Sequence, residues 1–505
     1  MPRSVQHSRV RLSRVLTSAL LLCVCCVCAS VRPVLAQCPD GSMPPCPGRA
    51  ARPPAPLPNS VAVLVFENAA RDTSLDWLGD GLAEEVATQL GTAAGVTVRG
   101  AGIVRSAVGV AGRDPRRVAR LVSVRYVVEG SYRRVGSRVR VSARLLALPA
   151  GDQRWGRVYD RPRDSLATLS DAIAQDLASE LAPGGGAAAA RRAERRPPDP
   201  RAYEAYQRGR FSFLRYDIPT ARALFEQAIA RDSTFAPAWA GLALVWSELA
   251  DVTVAPLEAY PRAREAALRA LALDSTLASA YVPLAFVAAA LDRDCRGGAR
   301  LMDRAIAIDS TLPEARMLRG VLMACQGRGD EALEAARRGW ELDSLSAYTG
   351  FYLVSTTWLV DPQRGAEAFT LARRRMGPDD ARVWEGILAR SAGDCATAER
   401  LLRPFGATAY VGWYVHALVC LGRRAEADSV VRAAVADTAQ RYVNPISVGI
   451  GLLALGDRDA AIRWLERGAD ERTWWAMLID RFEDLAPLHG EPRFEALKRR
   501  LGLQR

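Results

Sequence analysis

Lysine is almost missing from this 505-residue chain: Lys498 is the only one, and the other 67 of its 68 basic residues are arginine. A phosphate-binding loop of the GxxxxGK[S/T] type needs a lysine inside a glycine-rich turn. Lys498 sits in EALKRR, so that class is excluded. Schiff-base chemistry loses its usual nucleophile for the same reason. Histidine is scarce as well, with three copies, too few for most hydrolytic metal sites. Long apolar runs are scarce too: Val15–Val31, of 17 residues, stands out, which excludes a polytopic membrane protein.

What is present is ordinary globular composition, 49% hydrophobic and 25% charged. The length corresponds to about three domains of ~150 residues. The formal charge is +12. Alanine, glycine and proline are abundant beside arginine, which fits GC-rich coding and is not a sign of nucleic-acid binding.

Residues 1–36 read as an export signal. Arg3, Arg9, Arg11 and Arg14 form a basic start, the apolar run follows, and Val34-Leu35-Ala36 offers a cleavage site. An uncleaved membrane anchor is the alternative, because 17 residues is the lower limit for a spanning helix. Either way the remainder is expected in the periplasm or at the cell envelope. Removal of the signal takes five arginines and no acid, leaving +7. Residues 37–58 and 183–200 are rich in Pro, Gly and Ala and read as linkers.

Between the linkers, residues 59–182 alternate strand and helix patterns. Ser60–Phe66 is a short apolar strand, and Asn68–Ser74 is polar and turn-like. Asp76–Leu90 has helical spacing, and Val96–Val98 is a second strand. Asp114-Pro115 opens a helix, with Asp as cap and Pro in the first turn. Val124–Val135 and Arg138–Leu148 form a hairpin about Gly136-Ser137; Gln153–Tyr159 extends it, and Asp164–Leu181 closes the unit as a helix. The order βαβαβββα predicts an α+β domain, helices on one mixed sheet.

The segments SVAVLVFEN, DWLGDGLAEEVATQL and RYVVEGSYRRVGSRVRVSARLLALPAGDQRWGRVYDR carry a resemblance. Residues 59–182 resemble the α/β domain of the TolB N-terminal/FlgO-like type, through Phe66-x-Asn68, Asp80-Gly81-Leu82 with Glu84-Glu85, and Glu129-Gly130-Ser131. In bacteria that resemblance implies a module set directly before tetratricopeptide (TPR) repeats. Val65 stands where the family usually has proline, and Arg99-Gly100-Ala101-Gly102 replaces a more polar segment.

From Ala202 the chain repeats with a period near 34. In 313–346, small residues recur at Gly320, Gly327, Ala332, Ala336 and Gly339, the TPR pattern of closely approaching helix pairs. Eight repeats are counted across 201–475, with 347–378 degenerate and about eight extra residues near Val252–Tyr260. The RDST, LDST and IDST phrases place an Asp or Ser to cap the next helix. Residues 476–505 are expected to cap an all-α superhelical solenoid.

Four cysteines leave with the signal; six remain in an oxidising compartment. Cys295 and Cys395 occupy position 17 of their repeats, and Cys325 and Cys420 position 13 of the next. Bridges Cys295–Cys325 and Cys395–Cys420 are therefore expected between adjacent repeats, with Cys38–Cys46 closing the first linker. Buried free thiols are the alternative. No metal site and no cofactor are expected.

The concave face of such an array is made by the first helix of each repeat. Reading its groove positions gives Tyr203, Tyr206, Phe213, Tyr348, Phe351, Trp358 and His416, with Phe286 one position off. Aromatics favour binding hot spots; the other reading is internal packing. No nucleophile motif accompanies His416, so no catalytic residue is assigned. In the α/β unit Arg138, Arg140 and Arg144 alternate along one strand face. An anionic envelope component or small anionic ligand there is one reading, and a solvated sheet face the other. Gly184–Gly186 reads as linker. The sequence thus points to an exported, non-enzymatic scaffold that docks protein partners in a TPR groove. The alternative is a sensor whose α/β domain binds a small anion. No nucleic-acid partner is expected.

Overall fold

The computed structural model describes residues 58–503, apart from 92, 94, 183–196, 216, 311 and 345. The signal segment, nearly all of both linkers and the Cys38–Cys46 pair lie outside the described residues.

Ser60–Val63 (β1) is buried at every position, as a strand covered on both faces must be. It runs parallel to Thr97–Val98 (β3) on one side and Tyr126–Val135 (β4) on the other. β4 continues antiparallel into Arg138–Ala147 (β5) and Asp152–Pro162 (β6). The order is β3-β1-β4-β5-β6, a mixed sheet. The first hairpin closes through Gly136 at φ 60°, a left-handed value that suits glycine. Asn68 is not simply turn: Glu67–Asn68 (β2) pairs parallel with β4, and Asp72 caps the short turn after it.

Asp76–Leu90 (α1) and Leu169–Leu181 (α4) cover one sheet face, burying Trp77, Leu82, Val86, Ile173 and Leu177 against Val128, Val141 and Leu145. The closing helix begins later than Asp164 because Arg163–Thr168 forms a 3-10 turn first. Pro115–Val122 (α3) starts on its Asp114 cap, whose carboxylate accepts from Arg116 N–H. An additional helix, Ala101–Ala111 (α2), precedes it. Its glycines mask a helical pattern in the sequence, yet Val104 and Ala107 bury against Ala62, Leu64 and Val127. Helices α2 and α3 thus cover only the β1 end of the second face. The β4–β6 end leaves Arg133, Arg138, Arg144 and Val158 exposed.

From Pro200 to Asp470, helices follow as antiparallel pairs, a TPR-type solenoid. The glycine at position 15 ends the first helix of four pairs: Gly327, Gly393, Gly422 and Gly456 have φ of 75°, 81°, 76° and 83°. That left-handed turn is what glycine permits at low cost. Close approach sets other glycines. A Cβ on Gly209 or Gly241 would lie 2.8 or 2.7 Å from the Phe225 ring.

The expected capping role of the Asp-Ser-Thr phrases is corrected. Asp232 and Asp274 accept from Thr234 and Thr276 N–H, two residues on, and form local Asx turns. The helices that follow start after Phe235 and near Leu277, with no side-chain cap. Carboxylate caps stand before second helices instead, at Asp217, Asp294, Asp394 and Asp457.

After the last pair the chain does not simply add capping helices. Trp474–Leu478 and Glu483–Leu488 are 3-10 turns that fold back over first-helix residues of earlier repeats. Pro492–Arg500 then caps the array, burying Phe494 and Leu497 on one face. Among the described residues no helix is long and apolar enough to cross a membrane.

Candidate functional site

The helix-A face of the solenoid is where the aromatic pattern placed a groove, and its aromatics do cluster there. The cluster is filled by the chain itself. Trp474 meets Phe286 edge-on at 6.4 Å. Phe482 packs among Trp358, Trp413 and Trp475, with ring centroids about 6 Å apart. Trp474, Met477, Leu478, Ile479, Phe482, Leu485 and Leu488 are all buried. Apolar burial on this scale, on the order of 1.5–3 kcal/mol per large side chain, makes the segment an integral part of the concave face.

Polar contacts fix its register. Asp484, with its side chain 1% exposed, accepts from Trp413 Nε1 at 3.0 Å and lies 3.0 Å from Arg390. His416 Nδ1 stands 2.9 Å from the same carboxylate. Arg390 also pairs with Glu483, as does Ser391 Oγ. His416 is thereby committed to a carboxylate that anchors the chain's own tail.

The remaining groove candidates separate into two groups. Phe213, Phe286, Tyr348 and Trp358 are buried in the solenoid core, where Phe213 meets Tyr348 at 6.3 Å. Tyr203 is buried on the other side, against the α/β unit. Internal packing accounts for these five. Tyr206, Phe351 and His416 remain half-buried. Tyr352 and Tyr410, which the position rule did not select, are half-buried beside them and pack on Phe351, Trp413 and Trp475. The C-terminal segment was missed as an occupant because nothing in a repeat pattern says where the chain goes when the pattern ends. Its density of Trp, Phe and Leu was the available signal.

The junction between the α/β unit and the first helix pair is polar. Glu85 accepts from Ser170 Oγ at 2.6 Å, Tyr203 Oη at 2.7 Å and Gln207 Nε2 at 2.5 Å. Burial pushes its carboxyl up to about 7 despite those donors, none of which is a cation. Glu84 is half-buried, and Arg210 and Arg105 outweigh its desolvation and hold its carboxyl below the usual range. Arg105 in turn reaches Asp343 at 2.9 Å, tying α2 to the fourth helix pair. The Asp80-Gly81-Leu82 and Glu84-Glu85 residues of the family resemblance therefore serve this junction: Gly81 leaves room for Gln207, whose Oε1 would be 2.6 Å from an added Cβ.

The basic strand face is partly neutralised by its own neighbours. Asp160 of β6 lies 2.5 Å from Arg138 and 2.9 Å from Arg140, and Glu129 of β4 pairs with Arg144 at 2.5 Å. Cross-strand neighbours that the one-strand reading could not see supply these acids. Two carboxylates against three guanidiniums leave the row one positive charge in excess, and Arg133, opposite Arg140, is exposed on the same face.

Two disulfides tie adjacent helix pairs: Cys295 to Cys325 and Cys395 to Cys420, with Cα atoms 6.4 and 6.0 Å apart. Among the described residues no group of three or more His, Cys, Asp or Glu side chains is placed to share a metal ion.

No protein-family profile matches the chain. A curated protein described as putative adenylate cyclase 3 of Rhizobium meliloti (strain 1021) is 31% identical over 208 residues, 39% of this chain and 35% of that protein. The chain thus spans about a third of that relative's length. Among solved structures, it is similar to the thermophilic TPR protein TTC0263 of Thermus thermophilus, at 16% identity and a TM-score of 0.31, over 36% of this chain and 95% of that one. It is also similar to PilW, a type IV pilus biogenesis factor, at 18% identity and a TM-score of 0.31, over 41% of this chain and 92% of the other.

Proposed function

We propose that the chain is an exported, non-enzymatic interaction scaffold of the bacterial cell envelope, which holds segments of partner proteins on the concave face of its TPR-type solenoid. One observation carries the reading. That face already holds an irregular segment, Trp474–Leu488, by aromatic packing around Phe482 and by donors to Asp484. Recognition of a non-helical segment by side chains on successive first helices is what a scaffold of this type does with a partner. Tyr206, Phe351, Tyr352 and Tyr410 are the half-buried positions left for a second segment. For the sensor alternative, Asp160 and Glu129 offset two of the three charges of the arginine row.

The test is photo-crosslinking from position 351 in the full chain, in envelope extracts, with Tyr206→Ala as the competing lesion. Defined crosslinked proteins that disappear in Tyr206→Ala, in a chain that still unfolds cooperatively despite the lost packing on Phe225 and Phe235, are expected. Crosslinking that is diffuse, or indifferent to Tyr206, would sink the groove. N-terminal sequencing of the mature protein tests export.

A further inference from the structure

The loop after the Ala236–Leu249 helix belongs to the stretch where the second repeat exceeds the 34-residue period. Asp251 in this loop adopts φ 69°, a left-handed value that is costly for a residue with a Cβ. Its side chain is buried, 3% exposed, at the point where this loop meets residues almost 200 positions further on. Asp251 Oδ2 accepts from Trp474 N–H at 2.7 Å and from Tyr260 Oη at 3.1 Å. Asp251 Oδ1 accepts from Tyr442 Oη at 3.2 Å, and its backbone carbonyl accepts from Asn444 Nδ2 at 3.4 Å. Thr473 also bonds the carboxylate. One residue therefore closes the second helix pair onto the start of the C-terminal segment.

We propose that Asp251 is a proton-operated latch: its protonation tightens, and its ionisation loosens, the hold of the solenoid on Trp474–Leu488. The latch is a property of the fold and does not depend on what else the concave face binds.

The chemistry follows from the donors. All of them are neutral: two phenols, a threonine hydroxyl and a backbone N–H. Other charged groups stand one layer away. Glu471 acts on Tyr442. Arg293 donates to Ala469 O at 2.7 Å and stands among Arg472, Arg500 and Asp470. Burial raises the Asp251 carboxyl to about 6 in spite of its hydrogen bonds, against 3.8 for the free group. A carboxyl raised in the closed state favours closure below its free value, and that advantage is lost as pH rises through about 6. With these two values the opening constant rises about tenfold between pH 5 and pH 7.5.

Hydrogen exchange of the Trp474–Leu478 amides in the full chain, corrected for intrinsic rates, reads that constant. The wild-type chain should open about tenfold more at pH 7.5 than at pH 5. Asp251→Asn, permanently neutral and nearly isosteric, should remove the pH response. A response retained in Asp251→Asn, or missing in the wild type, overturns the latch. Should Asp251→Asn not fold, Tyr442→Phe decides. Losing a donor to the ionised form must move the midpoint to higher pH, and an unmoved midpoint overturns the proposal equally.

Discussion

The C-terminal segment is held at two buried aspartates, and the two ends are built differently. Asp484 faces a guanidinium, an imidazole and an indole N–H. Asp251 faces phenols, a hydroxyl and an amide. A cation in contact offsets part of the cost of burying a carboxylate. Neutral donors alone leave the cost of burial uncompensated. Each end also sits beside its own disulfide. Cys395 begins the helix after the one that carries Arg390, its partner Cys420 ends the helix that carries His416, and Cys295 begins the helix that follows Arg293.

The largest effect is expected from removing the cation. Arg390→Met leaves Asp484 and Glu483 without their guanidinium. Breaking a buried pair in this way costs about 3–5 kcal/mol. Denaturant unfolding measures it; a loss below about 1 kcal/mol would mean that His416 and Trp413 suffice. Next come the disulfides. Their separations of 30 and 25 residues each correspond to about 3.5 kcal/mol in the chain-entropy model. Cys→Ser pairs made singly should each lower the melting temperature, and mass mapping without reductant should recover both bridges. Recovery of four free thiols would remove this element of the comparison.

The smallest effect concerns Glu85, which resembles Asp251 in having only neutral donors. Its carboxyl is raised to about 7, so its contribution is greatest in acid and is lost as pH rises through neutrality. The melting temperature should therefore fall from pH 5 to pH 8, and Glu85→Gln should flatten that slope. A wild-type profile that rises over this interval would contradict the sign.

Much of this architecture is legible in the sequence, for identifiable reasons. The strands of the β4–β6 meander alternate plainly, and Gly136 marks their turn. The repeat register places Cys295 beside Cys325 and Cys395 beside Cys420 because each pair sits at the same turn of neighbouring repeats. Helix α2 escapes because its glycines dilute the apolar period. The arginine row is legible in the sequence, but the pairing of Arg138 and Arg140 with Asp160 depends on strand register, which the one strand does not specify. Of the groove aromatics, Phe286 and Trp358 meet Trp474 and Phe482 of the C-terminal segment, and that contact is non-local. A periodic pattern specifies contacts between adjacent repeats and says nothing of Asp251 meeting Trp474, 223 residues away.

That long closure changes what kind of repeat protein this is. An open array folds and frays repeat by repeat, because each unit touches only its neighbours. Here the second helix pair touches the segment that follows the eighth, so the C-terminal end cannot peel away without breaking contacts in the second pair. Folding must bring together partners 191 to 223 positions apart, a slow step that local helix pairing does not require. The C-terminal end of the array is therefore not removable: deleting it would strip the concave face of repeats that remain.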